Sequence, residues 1–166
     1  MNYRIVKYVQ LSGRRATIYT LVKEGESLTL FDAFLKECNT LHPAETANLV
    51  AKLRAMGQQT GLSPHLFRVH EGLPGDLVVA VSDDPDQKLR VYGIRYGATI
   101  LLLGGGGPKT VRAWQDDPKL KAAAEEMIAI SEAMMEKMTQ RELTWTDDEL
   151  EWIGDFTIVL DDEQDP

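Results

Sequence analysis

Four side chains in the middle of the chain, Arg68, His70, Arg90 and Tyr92, are of the types that can move protons and stabilise phosphate charge without a metal. His70 is the proton-transfer candidate, because an unperturbed imidazole titrates closest to neutrality. The two arginines could stabilise a pentacoordinate phosphate, and the tyrosine could donate or accept a proton. Arg95, Tyr96, Lys109 and Arg112 follow in sequence and could hold a polyanion. Strand alternation constrains the set. On residues 65–71, Arg68 and His70 share a face, with Phe67 and Val69 on the other. On residues 89–96, Arg90, Tyr92 and Tyr96 share one face and Arg95 points the opposite way. If the two strands are neighbours with these faces aligned, Arg68, His70, Arg90 and Tyr92 converge. The competing reading is that arginines and tyrosines on a half-exposed strand simply pair with neighbours or stand in water.

Other motifs carry less. Gly104-Gly105-Gly106-Gly107-Pro108-Lys109-Thr110 invites a phosphate-loop reading, but that loop requires glycine immediately before its lysine. Proline stands there instead and removes an amide donor. The glycines read better as a flexible connection that lets backbone pass close to a partner. Cys38 is the single cysteine, so the chain forms no internal disulfide and needs no structural zinc. It reads as a small buried apolar side chain. Met127, Met134, Met135 and Met138 lie on or near one helical stripe, which suits core packing or, more sharply, an adaptable partner surface.

The elements that must position these residues are legible in outline. Residues 3–11 and 15–22 are rich in β-branched and aromatic types around a Ser12-Gly13-Arg14 turn and predict a hairpin. Ser27 could cap a helix running to about Cys38. Pro43 could open a second helix that ends near Gly57 or Gly61. Strand signals follow at 66–71, 77–82, 89–96 and 100–103, joined by turns at Leu73-Pro74-Gly75-Asp76 and Asp83-Asp84-Pro85-Asp86. Asp117 before Pro118 predicts a strong helix start. Residues 153–160 could add a last strand. The expected fold is α+β: an antiparallel sheet with a helical hairpin on one face, a C-terminal helix and an N-terminal β-hairpin. The expected organisation is a domain over 1–142 and an acidic C-terminal extension over 143–166.

Charge divides the chain in the same way. Residues 1–112 carry 14 basic and 10 acidic side chains, whereas residues 113–166 carry 4 and 16, within a total of -8. That balance argues against an outright nucleic-acid binder and suggests either a solubilising tail or an acidic mask lying over a basic sheet. No run of eighteen apolar residues and no signal-peptide pattern is present, so a cytoplasmic protein without a membrane span is expected.

The order of helical hairpin, antiparallel meander and helix resembles the RelE/ParE toxin superfamily, particularly its phage-derived RelE-like branch. The likeness is carried by Phe31-Asp32-Ala33-Phe34-Leu35-Lys36-Glu37, by residues 65–81 and by residues 88–110. Within the last, Leu89 to Gly97 is similar to the family's arginine-bearing strand and turn. Ile100 to Gly104 is similar to its final apolar strand, and Pro108-Lys109-Thr110 to the lysine-threonine segment after it. The likeness covers about residues 28 to 112. The N-terminal hairpin, the four glycines and the acidic C-terminus depart from the family pattern. The resemblance implies the toxin of a type II toxin–antitoxin pair, acting as a metal-independent, ribosome-associated mRNA endonuclease with no cofactor. Arg68, His70, Arg90 and Tyr92 would be catalytic, and Arg95, Tyr96, Lys109 and Arg112 would bind RNA. Its partners would be a cognate antitoxin and mRNA on the ribosome, with a homodimer as a further option. The alternative is a non-enzymatic RelE-fold module that binds protein and has no cleavage activity.

Overall fold

The computed structural model describes residues 1–68, 77–81, 88–109 and 117–160, with His65 and Arg68 described by their backbone alone. The turns expected at 73–76 and 83–86, together with His70 and Arg112, lie outside the described residues.

Strands β1 (Asn2–Lys7) and β2 (Thr17–Lys23) form the expected hairpin, with Tyr3 opposite Lys23 and Lys7 opposite Tyr19. Helix α1 (Leu30–Leu41) starts later than Ser27 because Val22 and Thr29 still form a β-bridge. The cap is therefore Thr29, whose hydroxyl accepts from the Asp32 amide at 2.9 Å. Helix α2 (Pro43–Ala55) opens on Pro43, as expected, and runs into a single π turn over Met56–Thr60. Gly61, at φ +75°, ends it, a conformation that favours glycine.

A short 3-10 turn (Pro64–Leu66) takes the first residue of the expected 66–71 strand. Strand β3 (Phe67–Arg68) follows, then β4 (Val78–Val81), β5 (Leu89–Tyr96) and β6 (Ile100–Pro108) as an antiparallel meander. Helix α3 (Pro118–Thr139) begins where expected: the Asp117 carboxylate accepts from the Lys119 and Leu120 amides at 3.0 and 3.2 Å. Strands β7 (Leu143–Trp145) and β8 (Trp152–Gly154) form a separate hairpin, and β9 (Thr157–Val159) pairs with β1. The single strand expected over 153–160 is thus two. None of the helices in the described residues is long and apolar enough to cross a membrane.

Among the described residues the result is an α+β fold with a seven-stranded sheet in the order β3-β4-β5-β6-β2-β1-β9. Its neighbours are antiparallel except β2 and β6, which run parallel at Thr17–Tyr19 against Ile100–Leu102. This departs from the wholly antiparallel sheet expected. The helices and meander lie between β2 and β6, and a connection of that length can return a strand beside its starting point in the same direction. Where the two strands part, the buried Thr20 hydroxyl donates to Leu103 O at 2.9 Å and accepts from Phe31 N at 3.4 Å. One side chain thus replaces a ladder bond and anchors the start of α1.

Both faces of the sheet are covered. Helices α1 and α2 bury Ile18, Val79, Val91, Leu101 and Leu103 with Phe31, Phe34 and Leu53. Helix α3 and the β7–β8 hairpin bury the alternate set, Tyr19, Ala80, Tyr92, Ile94 and Leu102, with Leu120, Met127, Ile130 and Trp152. The fully buried Met127 and Met134 are core residues, whereas Met135 is exposed. Residues 143–160 contribute Leu143, Trp152 and Ile158 to the same core, and β9 extends the main sheet.

The four glycines are not a flexible connection. They are the second half of β6, paired with β5 from Leu89–Pro108 through Val91–Gly106, with a register shift before Gly93–Leu103. A Cβ on Gly106 would stand 1.8 Å from Arg90 O, and one on Gly104 would stand 2.2 Å from Met127 Sδ. Glycine is needed because two chains lie against this strand, β5 beside it and α3 above it. Gly106→Ala should therefore cost at least about 2 kcal/mol through backbone displacement, whereas Gly105→Ala, whose Cβ would approach nothing nearer than 3.9 Å, should change stability by less than about 0.5 kcal/mol. Urea unfolding of the two variants checks the contrast; equal losses would contradict it.

Candidate functional site

The alternation expected along β5 is present, but its polar face is not open. Tyr92 is 0% exposed and Arg90 4%, and Tyr92 and Tyr96 belong to the core beneath α3 and the β7–β8 hairpin. Register aligns the expected rows: Arg68 stands opposite Ala80, and Ala80 opposite Tyr92. Strand β4 therefore lies between the two strands expected to be neighbours. His70 and Arg112 lie outside the described residues.

The expected RNA-binding set does not form one patch. Arg95 and Tyr96 sit at one end of β5, whereas the Lys109 amide bonds Lys88 O beyond the other end, at 2.6 Å. Eight residues of strand separate these ends by roughly 23 Å. Arg95 points away from Tyr96: its Nε donates to Gly97 O at 2.9 Å, and its guanidinium lies 5.4 Å from the Phe67 ring centre. Cys38 is fully buried, and burial, with the neighbouring Glu37 charge, pushes its thiol up to about 11. It is chemically quiet at neutral pH.

The structure brings together a group that sequence reasoning missed. Over the end of β5, the β7–β8 hairpin lays Trp152 flat on Tyr19, with ring centres 4.8 Å apart, and the Tyr19 hydroxyl accepts from Trp152 N at 3.0 Å. Tyr96 meets Trp152 edge-on at 5.2 Å and Trp145 at 6.2 Å. Between this cluster and the β5–β6 turn lies a groove of about 580 Å³, bordered by Leu77, Arg95, Tyr96, Ala98, Trp145 and Glu149. The turn is held by Gly97 at φ +63° and is tied to the hairpin by Thr99 Oγ1, which donates to Glu149 O at 2.6 Å. The Lys7–Glu151 pair at 2.9 Å closes the hairpin onto β1. The signal available in the sequence was Trp145 and Trp152 bracketing a Thr-Asp-Asp-Glu-Leu-Glu run: two aromatic strand residues around a polar turn.

The Tyr96 hydroxyl and the Trp152 indole N–H are buried and find no hydrogen-bond partner among the described residues. Burial holds the Tyr96 hydroxyl above the ordinary tyrosine range. Because burial raises the folded-state value, the unfolded chain loses this proton first, so stability falls as pH rises beyond about 10 and is untouched by this ionisation below it. Tyr96→Phe should leave stability at neutral pH unchanged or raise it by up to about 1 kcal/mol, since an unpaired buried hydroxyl is costly. It should also lessen the fall in stability above about pH 10. Chemical unfolding at pH 7 and pH 11 tests both, and a loss above about 1 kcal/mol at pH 7 would show that the hydroxyl has a partner after all.

Comparison with family models, with curated proteins and with solved structures finds no match to this chain.

Proposed function

We propose that this chain is a RelE/ParE-like component of a toxin–antitoxin pair that acts by binding protein, without cutting RNA. The observation that carries the reading is the burial of Arg90 and Tyr92, at 4% and 0% exposed, with Tyr92 in the core beneath α3. In-line attack of a ribose hydroxyl needs its base and acid within about 3 Å of the reacting atoms, and an RNA strand cannot reach side chains under a packed helix. The net charge of -8 supports the same reading, because a polyanion gains little on such a surface. The sequence resemblance supplies the partner class, a cognate antitoxin encoded nearby. The lone, buried Cys38 is in keeping with the reducing cytoplasm.

One observation favours the second reading, a ribosome-associated mRNA endonuclease. In register, Arg68 stands opposite Ala80 and Ala80 opposite Tyr92, and displacement of α3 would uncover Tyr92. Translating ribosomes loaded with a reporter mRNA distinguish the two. The purified protein should leave the message intact, as mapped by primer extension. A cut that disappears in Tyr92→Phe, with folding retained, would overturn the binding reading and establish the endonuclease.

A further inference from the structure

The groove at the end of β5 has the chemistry of a cation site. Its walls are Trp145, which leaves 37% of its surface exposed, and the Tyr96 ring. Leu77, 42% exposed, adds an apolar flank. Glu149 borders the same space, and the preceding Asp147 and Asp148 are exposed, with Asp148 accepting from the Thr146 hydroxyl and the Leu150 amide. Glu151 is already engaged by Lys7. Arg95 also borders the groove, with its Nε bonded to Gly97 O at 2.9 Å and its guanidinium 5.4 Å from the Phe67 ring centre.

The backbone holds Glu149 in a fixed turn. Glu149 sits at φ +60°, where side-chain-bearing residues other than Asn, Asp and Gly are rarely found. Its amide donates to Thr146 O at 2.9 Å and its carbonyl accepts from Thr99, so the turn holds it there. Asparagine or glycine would satisfy the same backbone with less strain. A carboxylate kept in a strained position on the rim of an aromatic groove is a reason to ask what the carboxylate does.

We propose that this groove docks a basic segment of a partner protein, with an arginine side chain seated against Trp145 and paired with Glu149. A guanidinium is flat, stacks on an indole face and donates two parallel bonds to a carboxylate, so it matches both groups at once. Charge complementarity points the same way: the hairpin over residues 143–154 carries Asp147, Asp148, Glu149 and Glu151 and no lysine or arginine. The inference rests on the binding reading above and names the chemistry of the bound partner.

The test is titration of the full-length protein with a nona-arginine peptide, followed by tryptophan fluorescence and calorimetry at two salt concentrations. Nona-glutamate and oligouridylate serve as the other arms. The arginine peptide should bind and weaken with salt. Trp145→Ala, which leaves net charge unchanged, should weaken binding at least tenfold. Glu149→Asn should do the same while holding or raising the thermal midpoint, so its loss of binding cannot come from unfolding. Equal affinity in wild type and both variants would reduce the effect to attraction by net charge and overturn the site. Binding of oligouridylate in preference to the arginine peptide would overturn it in favour of a nucleobase pocket. Because no ribosome or message enters this titration, its failure is separable from failure of the mRNA test.

Discussion

The close approach of α3 to the glycine half of β6 is the constraint on which the rest of the molecule depends. With no Cβ at Gly104 and Gly106, Met127 settles onto one strand and the Arg90 carbonyl lies against it. The helix then reaches far enough down to bury Tyr92, Ile94 and Leu102. Full burial of each such side chain is worth roughly 1.5–3 kcal/mol, so the cover is part of the core and not an attachment to it. The same contact encloses Tyr92. A face that reads in sequence as a polar, reactive surface becomes an interior one.

Much of the architecture was legible because local rules and tertiary packing agree. The N-terminal hairpin, the Pro43 and Asp117-Pro118 helix starts and the β5 alternation all follow from the types and spacing of residues. What was not legible is instructive. Parallel pairing of β2 with β6 is a long-range event that no local pattern encodes. The glycine run looked like a loop because composition speaks of freedom, whereas its cause is lack of room. The start of α1 moved from Ser27 to Thr29 because a β-bridge kept the chain extended. For the site, alternation correctly sorted Tyr92 and Tyr96 from Arg95, but a period of two cannot say which face lies under a helix.

The C-terminal acidity takes on a different meaning in three dimensions. Residues 143–160 do not drape over a basic sheet. They clamp the aromatic end of it through Trp152, Tyr19 and Tyr96, and the Asp155 carboxylate, bonded by Thr157 and Lys137, fixes the junction with α3. Those hydrogen bonds, led by the Thr157 hydroxyl, hold the Asp155 carboxyl well below the usual range. Asp147, Asp148 and Glu149 are exposed at the hairpin turn, and Glu149 borders the groove. Of the side chains read in sequence as reactive, Arg90 and Tyr92 are committed to packing.

Amide hydrogen exchange along α3 and β5 tests the central claim most directly, because it reports how much free energy is needed to uncover the Tyr92 face. Amides within Pro118–Thr139 and around Tyr92 should open together, only with global unfolding. Opening of α3 at a free energy several kcal/mol below that of β5 would show a helix that lifts on its own and a face that RNA can reach.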